Sequence, residues 1–290
     1  MDRINTEDGL YIWNLKEHIE SITYHHTIMK RTLITISTCC LLTLSAAAQQ
    51  FRIQGADDER TMEMKPQMTE FYAPVPAVVS AGDIRTGSAP SDAVVLFDGK
   101  DLSAWQNDDG KEAEWTVNGD GTMTVDKTKG SITTKEKFSD FQLHIEWCVP
   151  ENIHGEGQGR GNSGVFLQGL YEVQILDAYE NETYVNGTVA SIYKQAAPLA
   201  NPCRKPGEWN VYDIIYTAPT FKEDGTYRTN PYVTVIFNGV LVQNHTMILG
   251  TTEYIGLPKV APHGDGPISL QCHGDASEPI SFKNIWLRKL

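Results

Sequence analysis

Beyond residue 93 the chain is patterned in short apolar or alternating stretches separated by turn chemistry. Strands are predicted at 94–97, 115–117, 122–125, 141–147, 164–168, 171–176, 210–216, 232–237, 240–242, 268–271 and 280–287. Stretch 141–147 alternates cleanly. Phe141, Leu143, Ile145 and Trp147 share one face, and Gln142, His144 and Glu146 share the other. Asn118-Gly119-Asp120-Gly121, Asp224-Gly225 and Asn238-Gly239 separate strands, and Asn238-Gly239 carries the signature of a two-residue hairpin. Helical periodicity is nearly absent over the same span. Many short strands joined by Gly-rich turns predict a β-sandwich or barrel.

The run from Arg160 to Asp177 stands out. Two strands, 164–168 and 171–176, are joined by Gly169-Leu170, and the second carries Glu172, Gln174 and Asp177 as E-x-Q-x-x-D. Residues two apart on a strand share a face, so Glu172 and Gln174 sit side by side. Asp177 joins them only if the strand ends or bulges after Leu176. Acids and an amide on one sheet face suit a sugar-binding groove and are costly in a core. The plainer alternative is a solvated polar face.

The first quarter of the chain reads differently. Met29-Lys30-Arg31 opens a basic region, residues 32–44 are mildly apolar, and Ser45-Ala46-Ala47-Ala48 offers an A-x-A cleavage site. This is the layout of a secretory signal peptide over residues 29–48. Residues 1–28 are read as an upstream extension ahead of the true start, with a genuine extension burying an internal signal as the alternative. The expected location is therefore exported, periplasmic or at the outer surface. The stretch preceding Cys39 and Cys40 fits a lipoprotein anchor poorly, and the apolar run is too short for a membrane span. Residues 49–92 hold Pro66, Pro74, Pro76 and Pro90 and no sustained period, as in a linker or loosely docked arm. Residues 93–290 are the size of one domain.

Of 24 Lys/Arg and 37 Asp/Glu, residues 1–48 hold four and five, which leaves 20 against 32 and a charge of −12. That balance argues against nucleic acid and anionic membranes as partners. Cys148, Cys203 and Cys272 remain beyond the leader, an odd number at irregular spacing that gives no disulfide framework, and Cys148 and Cys272, each ending an apolar strand-like run, are expected as buried free thiols. His154, His263 and His273 are far apart in sequence, and no zinc or calcium motif appears. No metal or cofactor is expected; a structural calcium is compatible with such a fold but is not demanded by the sequence.

An ordered set of motifs carries a resemblance across roughly two thirds of the chain. It comprises Leu96-Phe-Asp-Gly-Lys-Asp-Leu102 with Trp105, Phe141-Gln-Leu-His-Ile-Glu-Trp147, Gly161-Asn-Ser-Gly-Val-Phe-Leu167 and Tyr171-Glu-Val-Gln-Ile-Leu-Asp177. It continues with Ser191-Ile-Tyr-Lys-Gln195, Pro206-Gly-Glu-Trp-Asn210, Phe237-Asn-Gly-Val240, Gly266-Pro-Ile-Ser-Leu-Gln271, His273-Gly274 and Phe282-Lys-Asn-Ile-Trp286. Residues 93–290 thereby resemble the 3-keto-disaccharide hydrolase domain family, in a secreted form of the kind common in Bacteroidetes. The resemblance implies an all-β, concanavalin-A-like jelly-roll sandwich of two antiparallel sheets, with a carbohydrate groove on the concave one. It also implies action on glycosides already oxidised to a ketone at C3, and hence a partner dehydrogenase that makes the ketone.

Such a substrate loses its C2 proton to a base and its C1 substituent by elimination, with water adding back for net hydrolysis. This needs a base, donors to the enolate oxygen and an acid for the leaving group. Glu172 is the first candidate for base or acid, with Glu146 as a second carboxylate in the same groove and His273 titrating near neutrality. Arg160, Asn162 and Lys194 are candidates for stabilising an oxyanion or holding hydroxyls, Gln174 and Asp177 for binding substrate, and Tyr193 and Trp209 for stacking on a sugar. Asn162 and Trp209 also admit purely structural readings. Two alternatives remain: a classical glycosidase of glucanase type using Glu172 and Asp177 as its carboxyl pair, and a non-catalytic carbohydrate-binding domain.

Overall fold

The computed structural model describes residues 86–290. The expectations for residues 1–28, 29–48 and most of 49–92 lie outside the described residues. Among the described residues fifteen strands are formed, in the order β1 (Val94–Phe97), β2 (Trp105–Asn107), β3 (Thr116–Val117), β4 (Met123–Thr124), β5 (Ile132–Thr134), β6 (Phe141–Cys148), β7 (Asn162–Leu167) and β8 (Tyr171–Leu176). There follow β9 (Trp209–Thr217), β10 (Thr220–Phe221), β11 (Tyr227–Thr229), β12 (Tyr232–Phe237), β13 (Val240–Met247), β14 (Ser269–Leu270) and β15 (Ser281–Lys289). The larger sheet runs β13-β12-β9-β6-β15-β4-β3, with β1 also paired to β15. The smaller runs β2-β5-β14-β7-β8, and β10 and β11 form a separate ribbon. Pairing is antiparallel in both sheets. The fold is the all-β jelly-roll sandwich expected.

The predicted alternation of β6 holds. Phe141, Leu143, Ile145 and Trp147 are fully buried, as are Tyr212, Ile214 and Tyr216 of β9 and Val235 and Phe237 of β12. They meet Ile132, Val165, Leu167, Val173, Ile175 and Leu270 of the smaller sheet. Trp147 packs 5.6 Å from Tyr212 and 5.9 Å from Phe237 between ring centroids. A one-residue register slip would turn these side chains to solvent, so the hydrophobic face sets the register. Two buried tyrosines also tie the sheets together. The Tyr212 hydroxyl donates to the Gln174 carbonyl at 2.7 Å, and that of Tyr216 donates to Gln168 Oε1 at 2.8 Å.

The β7–β8 hairpin turns one residue earlier than its composition suggests. Gln168 and Gly169 both have positive φ, 52° and 71°, and Leu170 N donates to the Leu167 carbonyl at 3.1 Å. Leu167 pairs with Tyr171, so the loop has three residues, and its turn needs the left-handed region twice. Gln168 tolerates it because its buried amide also donates to the Phe138 carbonyl at 2.9 Å. The Asn238-Gly239 turn is the hairpin predicted, with φ of 50° and 81°. Strands β2, β5, β10 and β11, of two or three residues each, carry too little pattern to be read from sequence. Cys148, Cys203 and Cys272 are free; Cys148 is buried as expected, whereas Cys272 is only half-buried.

Candidate active site

The outer face of the smaller sheet carries a groove of about 790 Å³. In the β7–β8 register Phe166 lies opposite Glu172 and Gly164 opposite Gln174, so these residues share the groove face with Asn162. The free edge of β8 is covered by segment 188–193. Gln174 N donates to the Ser191 carbonyl, Ala190 N to the Gln174 carbonyl and Tyr193 N to the Glu172 carbonyl, at 2.9–3.2 Å. Strand β8 is therefore buried at every residue.

Glu172 is 4% exposed, and burial pushes its carboxyl up to about 8. Its position depends on Gly164. A methyl group there would overlap Glu172 Oε1 and lie 3.0 Å from Cγ and Cδ. Gly164 has no left-handed φ, so it serves here as missing volume rather than as a turn residue. Gly164→Ala is expected to displace the Glu172 carboxyl, lowering turnover by at least about tenfold while costing only about 1–3 kcal/mol of stability. Steady-state kinetics beside denaturant unfolding check this; unchanged turnover would mean that the position of the carboxyl is unimportant.

An amide network forms one wall. Gln174 Nε2 donates to Gln158 Oε1 at 3.1 Å and to the Gly187 carbonyl at 3.2 Å, and Asn162 Nδ2 donates to the Gln158 carbonyl at 2.9 Å. Asn162 Oδ1, Gln174 Oε1 and Gln271 Oε1 are buried without a hydrogen-bond donor. Unmet acceptors of this kind are suited to hydroxyl donors.

Beside this wall stands His273, with Nδ1 2.9 Å from Asp275 Oδ2. The Asp275 backbone N–H also lies 3.2 Å from Nδ1. The shorter, charge-assisted contact decides the tautomer, so Nδ1–H donates to the carboxylate and Nε2 is left as the basic nitrogen. Asp275 is itself held. Ser277 N donates to it at 2.8 Å, the Ser277 hydroxyl binds Oδ1, and Lys127 Nζ lies 3.3 Å from Oδ1. Burial works to raise the Asp275 carboxyl, but hydrogen bonds from His273 and Ser277 and the Lys127 charge outweigh it and bring it down to about 2.

Next to this network, across Gly187, the lining is aromatic. The Tyr184 and Tyr193 hydroxyls are 2.6 Å apart, and Lys194 Nζ lies 4.6 Å from the Tyr254 ring centroid and 5.4 Å from that of Tyr193. Burial raises the Tyr193 phenol far above its ordinary range, helped by Tyr184 and the Glu172 charge. Lys194 has φ of 58°, a strained conformation for a long side chain.

Six residues singled out in the sequence thus border one groove: Asn162, Glu172, Gln174, Tyr193, Lys194 and His273. Four do not. Glu146 is on β6 of the other sheet, where alternation turns it away from the sandwich interior and onto the opposite side of the molecule. There it accepts from Asn284 Nδ2 at 2.7 Å and lies 3.6 Å from His144 Nε2 and 3.5 Å from Lys283 Nζ. His144 is buried, which disfavours its charged form, yet its contacts with Asp213 and Glu146 outweigh this and raise it to about 9. Trp209 starts β9 on the same outer face, under Lys283 at 4.1 Å. Arg160 Nε and Asp177 Oδ2 pair with each other at 2.7 Å, outside the groove. Strand β8 does end at Leu176, but Asp177 stays on the side of Val173 and Ile175, so the glucanase-type pairing of Glu172 with Asp177 is not formed in the groove. Glu146→Gln is accordingly expected to leave turnover within about twofold of wild type in the same assay; a loss above tenfold would return Glu146 to the chemistry.

Sequence reasoning missed Gln158, Tyr184, Thr252, Tyr254, Gln271 and Asp275. Only Asp275 carried a legible signal, the His273-Gly274-Asp275 spacing; the two tyrosines arrive on loops with no pattern. Among the described residues no group of three or more His, Cys, Asp or Glu is arranged to hold a metal ion, and no helix is long and apolar enough to cross a membrane.

The groove thus sets a buried carboxyl and a carboxylate-held imidazole on one sheet of an antiparallel jelly roll. The chain belongs to the 3-keto-alpha-glucoside-1,2-lyase-like domain family, whose model matches residues 92–288. A candidate glycosyl hydrolase from Parabacteroides distasonis ATCC 8503 is 68% identical, with 78% of this chain and 97% of that one covered and a TM-score of 0.76. Two further candidate glycosyl hydrolases of the same organism superpose with a TM-score of 0.48. One is 24% identical over 68% of this chain and 99% of its own, the other 19% identical over 71% and 96%. No curated protein is significantly similar to the chain.

Proposed function

We propose that this protein is a carbohydrate-active enzyme that cleaves the C1–O bond of glycosides carrying a ketone at C3. The observation that carries the reading is the pairing, in one groove, of a buried carboxyl raised to about 8 with an imidazole whose Nδ1 is held by the Asp275 carboxylate. Family membership and the 68% identical candidate hydrolase support the same class of activity.

The two groups have the protonation states that an elimination needs. His273 Nε2 takes the C2 proton, and the freed electron pair forms the enolate of the C3 ketone. The enolate then collapses to a C1=C2 double bond with the ketone restored, and the C1–O bond breaks. Glu172, neutral below about 8, gives its proton to the departing oxygen. The product is a 1,2-unsaturated 3-ketone, and addition of water at C1 completes net hydrolysis. The amide wall of Asn162, Gln158, Gln174 and Gln271 holds the oxidised ring, and Gln271 is our donor to its C3 oxygen. The leaving group departs toward Tyr184, Tyr193 and the Lys194 cation. In this reading Glu172 acts as acid and His273 as base.

The test supplies methyl 3-keto-glucoside and a 3-keto disaccharide in D₂O. The expected result is release of the aglycone with deuterium at C2 of recovered substrate, and no action on the unoxidised glycosides. Cleavage of unoxidised glycosides at comparable rates, or neither release nor exchange from the ketones, would overturn the proposal.

A further inference from the structure

The aromatic wall of the groove continues past its rim onto an apolar loop at 250–260. The neck of this loop is closed, because Thr251 N donates to the Lys259 carbonyl at 2.9 Å and Glu253 pairs with Lys259 at 3.1 Å. It is also tied to the site. Thr252 N donates to the Leu170 carbonyl, Thr252 Oγ1 accepts the Glu172 N–H at 2.9 Å, and Lys194 Nζ donates to the Tyr254 carbonyl at 2.5 Å. The tip held in this way is apolar. Tyr254 lines the groove while remaining 75% exposed, and Ile255 and Leu257 beyond it are 82% and 83% exposed.

We propose that this lip is an aglycone subsite for an aliphatic or aromatic leaving group, so that the substrates are glycosides of apolar aglycones. The inference rests on the reading of the groove as a glycoside-cleaving site. Exposed apolar residues are ordinary when scattered singly. Here three lie within four positions, on a loop bonded to the backbone of Glu172 and to the side chain of Lys194. A sugar in that place would lay hydroxyls against Ile255 and Leu257, which offer them no hydrogen bond, whereas hydrocarbon there leaves water at no polar cost. The groove volume, about 790 Å³, is toward the upper end of the ~300–1,000 Å³ usual for small-molecule sites, which leaves room beyond one sugar ring.

The experiment compares binding of methyl and hexyl glucoside by calorimetry, in the full chain and in its Ile255→Ser/Leu257→Ser variant. Neither compound carries the ketone, so the readout is independent of turnover. A fully buried methylene is worth about fourfold in affinity. Five extra methylenes, partly covered on the lip, are expected to tighten binding by at least about tenfold, and the double variant is expected to abolish that preference. Equal affinities in the wild type, or a hexyl preference that the variant retains, would overturn the aglycone site. So would a dimer in sedimentation velocity that the variant dissociates, since a second copy would then occupy the lip. If the hexyl preference stands while 3-keto-glycosides are not cleaved, the catalytic proposal fails and the apolar subsite survives; the reverse pattern separates them the other way.

Discussion

Glu172→Gln is expected to lower turnover by about 10²–10⁴-fold and, at neutral pH, to make the protein more stable. The first effect is the loss of a proton donor to the leaving group. The second follows from burial. The Glu172 carboxyl titrates at about 8 in the folded protein against 4.5 as an ordinary glutamate. A carboxyl whose folded value is raised is fully tolerated below the unfolded value and weighs against folding progressively between about 4.5 and 8, above which the effect is constant. Glutamine has nearly the same shape and no charge, so it escapes this penalty, which is on the order of 5 kcal/mol above pH 8. Denaturant unfolding of both proteins at pH 4, 6 and 8.5 checks it. The curves should coincide at pH 4 and separate as pH rises, with the variant ahead. A variant that is less stable at pH 8.5 would show that the carboxylate is stabilised by its surroundings. Wild-type turnover should in parallel fall as pH rises through about 8.

Asp275→Asn is expected to cost about 10²–10³ in kcat with a smaller change in KM, and about 2 kcal/mol of stability at pH 7. The kinetic loss comes from the imidazole, because an asparagine amide can donate to Nδ1 and so favours the tautomer in which Nε2 is no longer basic. The stability loss comes from a carboxylate that is 3% exposed and lowered from 3.8 to about 2. A depressed folded value stabilises the native state above the unfolded value, and that stabilisation is lost as pH falls through about 2. Wild type and variant should therefore differ most above pH 4 and converge below pH 2. If Asp275 only braced its own loop, stability would fall while the alkaline and acid limbs of the kcat profile kept their midpoints. A role through His273 shifts the acid limb.

The two observations about Glu146 and Gly164 show where a linear reading stops. The alternation of 141–147 correctly assigned Glu146 to the polar side of its strand. It could not say that this side faces away from the groove, because that depends on which sheet β6 joins and on how the two sheets stack. Gly164 carries no sequence mark that separates a turn glycine from one that leaves room for a carboxyl. Its role appears only when β7 and β8 pair in the register that sets it beneath the Glu172 side chain. Asp177 likewise had the spacing of a second catalytic acid, but it is buried and the half-buried Arg160 guanidinium claims it.

The longer strands, the Asn238-Gly239 hairpin, the burial of Trp147 and its neighbours and the adjacency of Glu172 and Gln174 were determined by sequence alone. Each rests on local rules: a period of two, a turn that needs positive φ and the cost of exposing apolar faces. Tertiary structure decided which polar face became the groove and brought His273, Lys194 and Tyr254 to it from distant segments. It also decided the chemical state of Glu172. A glutamate in the chain titrates near 4.5, and its rise to about 8 comes from desolvation by neighbours that only the closed sandwich assembles.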